Sequence, residues 1–115
     1  MKLTQHMAVL VGAALAVSGS PGLAPLDAQT PSAPEAGQQV VLITGSTSGL
    51  GREIARRMAT RGAHVIVHGR SEERGRELVA EIEQAGEGSA RFYQADFTSF
   101  DQIRAFGESV LRDYD

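Results

Sequence analysis

The sequence predicts an α/β chain: half of a doubly wound parallel sheet, with elements in the order β-α-β-α-β-α and strand order 3-2-1. Three observations predict it. Short strand-like runs recur near residues 40, 64 and 90, and each is followed by a stretch with helical spacing. The first run, Val40-Val41-Leu42-Ile43, is apolar and mostly β-branched without alternation, which calls for cover on both faces, as in a parallel sheet. The connections are short, so right-handed crossovers set successive strands side by side with helices on both faces.

Each element has its own signal. The first strand ends at Thr44, and Gly45-Ser46-Thr47-Ser48-Gly49-Leu50-Gly51 follows. Next, Ile54, Ala55, Met58 and Ala59 share one helical side while Arg52, Arg56 and Arg61 occupy others, and Gly62 stands at the stop. His64-Val65-Ile66-Val67-His68 reads as the second strand. Ser71 is placed to cap a helix whose first turn holds Glu72 and Glu73, favourable at the positive end of the dipole. Leu78, Val79 and Ile82 form its inner stripe, and Gly86 stops it. Ala90 to Ala95 reads as a third strand. Ser99-Phe100-Asp101-Gln102 matches a capping box, and Ile103, Phe106, Val110 and Leu111 mark a last helix.

The first 39 residues have a different texture. Lys2 precedes the apolar run Met7 to Val17, and Ser18-Gly19-Ser20-Pro21-Gly22 breaks it. A helix of this run spans roughly 17 Å, short of the ~30 Å hydrocarbon core. These are the parts of a secretory signal peptide over 1–28, with cleavage expected after Ala28 and before Gln29. No twin-arginine pair precedes the run, so the general secretory route and a periplasmic or secreted product are expected. The alternatives are an uncleaved membrane anchor, since Met7 to Leu26 carries no charge, and a cytoplasmic protein with a misassigned start. With cleavage, no stable membrane insertion is expected. Residues 29–39, small, polar and proline-bearing, read as a flexible linker before a folded part at 40–115.

Composition excludes several functions. Eleven basic against fourteen acidic side chains leave a net charge of −3, so no nucleic-acid partner is expected. The absence of cysteine excludes a disulfide scaffold, a zinc–thiolate site and a thiol nucleophile. His64 and His68 lie roughly 13 Å apart along a strand, too far to share a metal, and read as strand-end residues. The acidic residues from Glu72 to Glu81, with Arg74 and Arg76, read as a charged helix face rather than a catalytic pair.

The glycine segment carries the chemistry. It lies between the first strand and the first helix, where a doubly wound sheet binds a dinucleotide pyrophosphate. Gly45 allows the turn out of the strand, Gly49 leaves room for phosphates, and Gly51 lets the helix pack close. Free N–H groups at the helix start then face the anion, unless the segment is a plain turn. A P-loop is excluded because the only lysine is Lys2. A nucleophile elbow is excluded because Thr47 stands where serine belongs and no histidine follows His68.

The spacing Thr44-Gly45-x-x-x-Gly49-x-Gly51 resembles the short-chain dehydrogenase/reductase family, with its Rossmann-type fold. The likeness runs from about Val40 to Asp115. It implies that Gly45, Ser46, Thr47, Ser48, Gly49, Leu50 and Gly51 bind the cofactor. It also implies that Arg70 senses the adenosine 2′ position and that Asp96-Phe97 meets the adenine. His68-Gly69-Arg70-Ser71 holds no carboxylate for a ribose 2′-hydroxyl. Arg70 suits a 2′-phosphate and Ser71 adds a hydroxyl, so NADP(H) is expected over NAD(H). Arg70 as a solvated loop residue and Asp96 as a turn former stay open.

The resemblance also implies a catalytic serine and a Tyr-x-x-x-Lys pair. Neither Tyr93 nor Tyr114 has a lysine four residues on, and an Asn-Asn-Ala-Gly segment is missing. No catalytic residue is therefore assigned. The expectation is the amino-terminal, NADP(H)-binding portion of an oxidoreductase acting on an alcohol or carbonyl, ending before the fourth strand and inactive alone. The alternatives are a non-catalytic nucleotide-binding or interaction protein and a truncated reading frame. An unpartnered first strand also predicts self-association through its edge.

Overall fold

The computed structural model describes residues 32–115. The signal-peptide reading of 1–28, and linker residues 29–31, lie outside the described residues. Three strands, β1 (Val40–Ile43), β2 (His64–Gly69) and β3 (Ser89–Gln94), alternate with three helices, α1 (Gly49–Thr60), α2 (Glu72–Ala85) and α3 (Phe100–Tyr114). The sheet is parallel and ordered β1-β2-β3, with Val40 opposite His64 and His64 opposite Ser89. This is the predicted half of a doubly wound fold.

β2 is central and buried along its length. Its pleat sends Val65 and Val67 to one face, where they pack with Ala55 and Ala59 of α1, Leu78 and Ile82 of α2, and Ala90 of β3. The opposite face of β2 carries His64 and His68, with aromatic partners Tyr114 and Phe106 from α3. One face of β2 is apolar and the other alternates His64, Ile66 and His68, and both meet helices.

Several expectations change in detail. β1 is not covered on both faces: Val40 and Leu42, on one face, are 42% and 45% exposed, while Val41 and Ile43 on the other are half-buried. β3 begins one residue early, at Ser89, and ends at Gln94. In α1, Ile54 is 40% exposed while Ala55 and Ala59 are buried. In α3, Phe106 and Val110 are half-buried, but Ile103 and Leu111 are exposed. The half-buried Asp113 and Tyr114 share the inner side instead, bonded to Tyr93 and His64.

The linker residues within view are tethered. Ser32 Oγ donates to Glu83 Oε2 at 2.7 Å, and Gln38 Nε2 donates to the Gly62 carbonyl at 3.0 Å and to Ser89 Oγ at 3.3 Å. The serine caps form, Ser71 Oγ accepting from the Arg74 amide and Ser99 Oγ from the Gln102 amide, both at 3.2 Å. The box at Ser99 is only half made: Gln102 Oε1 accepts from the Asp96 amide, and the Ser99 amide donates to the Asp96 carbonyl at 3.1 Å. Glu81 joins α2 to α1 through Arg52 at 2.8 Å and Arg56 at 3.0 Å. These are partly exposed pairs, each worth at most about 1 kcal/mol.

Candidate functional site

The site forms where β1 ends and α1 begins. Gly45 and Gly49 have φ of +63° and +58°, a region costly for residues with a Cβ. Gly51 is needed for a different reason. A Cβ there would overlap the Gly45 carbonyl oxygen and lie 3.0 Å from the Cα of Ser46. The helix therefore presses its first turn against the outgoing strand.

α1 starts inside the glycine motif, so Gly49, Leu50 and Gly51 are its first turn. Ser48 is the N-cap but its side chain makes no capping bond, and the first turn holds no acidic residue. The amides of Gly49, Leu50 and Gly51 have no acceptor among the described residues, and the first helical bond is Arg52 N–H to the Ser48 carbonyl at 3.3 Å. α2 and α3, by contrast, have serine caps. Uncapped amides at the positive end of a helix dipole fit an anionic group such as a pyrophosphate. A Cβ at Gly49 would meet nothing within 4 Å, so the space beside those amides is open.

The other motif residues divide by role. Ser46 is fully buried, and its hydroxyl accepts from the His68 amide at 2.9 Å, so it braces the turn from inside. Thr47 is nearly buried and packs over Gly69, where a Cβ would overlap its side chain. Leu50 is 75% exposed.

Arg70, Ser71, Asp96 and Phe97 follow the C-terminal ends of β2 and β3, along the same sheet edge. Arg70 is exposed, and its carbonyl accepts from Gln94 Nε2 at 3.0 Å, which ties it to β3. Its guanidinium joins no ion pair among the described residues. Glu72, the nearest following acid, is paired with Arg76 at 2.7 Å. Ser71 Oγ acts as acceptor in its cap, so its proton is left to donate. Asp96 Oδ1 accepts from the Thr98 amide at 2.9 Å and hydroxyl at 2.7 Å, which leaves Oδ2 for a ligand. Those two bonds, and then the charge of Arg70, hold the Asp96 carboxyl below its usual range. Asp96 is thus a turn former, as its alternative reading held, while one oxygen stays free. Phe97 is 37% exposed and stacks on His68.

Three contributors were missed. His68 was read as a strand-end residue, yet it contacts both loops of the site. Gln94 holds Arg70, and Gln102 Oε1 accepts from the Asp96 amide at 2.8 Å. The available signal was that a buried imidazole in a strand must find partners for both nitrogens.

Both tyrosine hydroxyls are engaged within the fold, Tyr114 Oη lying 2.8 Å from His64 Nε2. Tyr93 donates to Asp113 Oδ2 at 2.6 Å, and burial followed by that bond pushes its hydroxyl well above the ordinary range. A concave groove of about 690 Å³ lies elsewhere, lined by Ser32, Gln38, Glu83, Glu87 and Ser89. It sits at the N-terminal end of β3, whereas open α/β sheets bind ligands at the C-terminal ends. Its three carboxylates, Glu35, Glu83 and Glu87, also disfavour a phosphate.

A glycine turn feeding an uncapped helix at the C-terminal edge of a parallel sheet defines a nucleotide-binding α/β protein. The chain belongs to the short-chain dehydrogenase family, whose model matches residues 39–115. It is 40% identical over 77 residues to a 3β-hydroxysteroid dehydrogenase of Mediterraneibacter gnavus, covering 67% of this chain and 28% of that protein. A fatty acyl-CoA reductase of Acinetobacter baylyi is 39% identical over 77 residues, with coverage of 67% and 26%. Among solved structures, a metagenomic short-chain oxidoreductase in complex with NADP superposes with a TM-score of 0.60 at 38% identity, covering 64% of this chain and 33% of that one. A Sphingobium yanoikuyae short-chain dehydrogenase in complex with NADPH gives 0.56 at 33% identity, covering 58% and 26%. The chain spans about a quarter to a third of the length of these relatives. Family membership implies a dinucleotide cofactor and a substrate.

Proposed function

We propose that residues 40–115 form the NADP(H)-binding portion of an oxidoreductase that moves hydride between the nicotinamide and an alcohol or carbonyl. The observation that carries the cofactor preference is the end of β2. Arg70 is exposed there with no ion-pair partner among the described residues, and the nearest following acid, Glu72, is paired with Arg76. A 2′-phosphate finds a guanidinium at this place, and no carboxylate stands between β2 and Arg70 to accept from a free ribose 2′-hydroxyl. The uncapped amides of α1 support the pyrophosphate end of the same reading.

The chemistry of the complete reaction needs a proton donor beside the substrate oxygen. The 115 residues hold no Tyr-x-x-x-Lys pair, because the only lysine is Lys2. NADPH oxidation by this chain alone is therefore expected to stay at background.

Calorimetric titration of wild type and Arg70→Glu with NADPH and NADH tests the reading. The variant loses a charge-assisted contact worth roughly 1.5–3 kcal/mol, or about tenfold to a hundredfold in affinity, for NADPH alone. Equal losses for both cofactors would mean that Arg70 does not read the 2′-phosphate.

A further inference from the structure

We propose that His68 is a positioning residue that locks the glycine turn to the Asp96–Phe97 loop, and that only its neutral Nε2–H tautomer does so. The proposal rests on the dinucleotide reading above. Its structural basis is independent of any ligand.

Two bonds set the tautomer. The Gly45 amide donates to His68 Nδ1 at 2.9 Å, and His68 Nε2 lies 3.0 Å from the Ala95 carbonyl. A backbone N–H has only a proton to give, so Nδ1 must be the acceptor. A carbonyl has only lone pairs, so Nε2 must carry the proton. One ring therefore joins the first residue of the glycine turn to the last residue before Asp96. The backbone doubles the joint: the Ser46 amide donates to the His68 carbonyl at 2.8 Å and Ser46 Oγ accepts from the His68 amide. His68 is 4% exposed and its ring stacks on Phe97, with centroids 3.9 Å apart and planes 19° from parallel, while Phe106 of α3 closes another side.

Protonation would place a hydrogen on Nδ1 facing the Gly45 N–H, donor against donor. The Gly45 amide must then turn, and with it the entry to the phosphate-facing turn. The neighbours offer little to offset the added charge. The glycine turn contributes no titratable group. From β3 come Tyr93, opposite His68 in register and bonded to Asp113, and Asp96, bonded to Thr98. α3 contributes the apolar Phe106, and Arg70 follows two residues on in β2's exit. Burial holds the imidazole below its ordinary range, opposed by the Ala95 carbonyl.

Nitrogen-15 NMR of the full chain labelled at histidine reads the tautomer directly. The expected result at pH 7.5 is an unprotonated Nδ1 and a protonated Nε2 on His68. Lowering the pH should shift the Gly45 amide along the same titration curve. An Nδ1–H tautomer, or a Gly45 amide that ignores the titration, would overturn the proposal.

NADPH titration at pH 7.5 and 5.5 supplies the functional readout. His68→Asn keeps an acceptor near Nδ1 but gives up the Ala95 bond and the Phe97 stack, so it should bind about three- to tenfold more weakly than wild type at pH 7.5. With nothing to protonate at position 68, it should lack that part of the pH dependence. His68→Phe keeps the stack but strands the Gly45 amide, and should bind roughly tenfold more weakly at both pH values. Wild type should weaken at pH 5.5 relative to His68→Asn. His64 is present in all three proteins, so its protonation moves them alike. Equal changes in affinity for wild type and His68→Asn across the pH range in which the nitrogen-15 spectra show His68 gaining its second proton would overturn the proposal. A wild type that binds no NADPH at pH 7.5 would instead remove the cofactor reading, with the tautomer and the Gly45 shift still deciding whether the bridge exists.

Discussion

Replacing Gly51 by alanine tests whether the helix is held against the turn as the geometry requires. In an unconstrained helix the change stabilises by about 1 kcal/mol, since alanine gives up less backbone freedom. Here the new Cβ would overlap the Gly45 carbonyl oxygen and approach the Ser46 Cα to 3.0 Å. Both obstacles are backbone, and Ser46 is fully buried, so neither gives way by a rotamer change. Overpacking of this kind costs roughly 1–3 kcal/mol, and backbone obstacles place it at the upper end. The net expectation is a loss of about 1–2 kcal/mol, or roughly 5–15 °C in melting temperature for a domain of this size.

Gly107→Ala is the matched control. It also lies within a helix, α3, but a Cβ there meets nothing within 4 Å. It should stabilise by about 0.5–1 kcal/mol. Urea and thermal unfolding of both variants, followed by circular dichroism, separate the two cases. If Gly51→Ala melts with Gly107→Ala, at or above wild type, the close approach of α1 to the turn is not there and the reasoning fails.

Other consequences follow from the same structure. His64 and His68 are both held below the ordinary histidine pKa of 6.5, chiefly by burial. Unfolded chains then bind more protons than folded ones as pH falls below 6.5, so stability should be level above that value and decline beneath it. A urea midpoint that rises between pH 6.5 and 5.5 would contradict this. The open edge of β1, with Val40 and Leu42 exposed, should drive concentration-dependent association; Leu42→Lys should reduce it in sedimentation runs, and an unchanged profile would point to another surface. Cleavage of the leader should give a periplasmic product starting at Gln29 in a Gram-negative host, read by amino-terminal sequencing; intact Met1 in the cytosol would oppose the export reading.

What was legible in the chain followed from repetition. β2 is buried throughout, so its sequence is apolar between its two histidines and unmistakable. The serine caps of α2 and α3 were readable because capping chemistry is local and needs only three residues of context. Arg70 and Asp96 were singled out by the family resemblance, which attaches to their positions after the second and third strands. β1 was misread as covered on both faces because an apolar run records the burial a strand is suited to. It does not record which neighbours are present.

Long-range polar pairing was not legible in the same way. α3 looked like a helix with an Ile103–Leu111 stripe, but its inner side is shared by Asp113, which receives Tyr93 and Arg91, and by Tyr114, which meets His64. No periodicity announces that a carboxylate will face a sheet, because its partners lie on a different strand. His68 shows the same thing at the site. It lies 23 residues from Gly45 and 27 from Ala95, and only the parallel register brings the three together. The glycine motif marks where the uncapped amides of α1 are. The rigidity of that turn is supplied by a histidine, two strands and a stacked Phe97, none of which the motif contains. Within a glycine-rich turn the backbone has little resistance of its own, so a bracing group from the neighbouring strand is what makes the geometry persist.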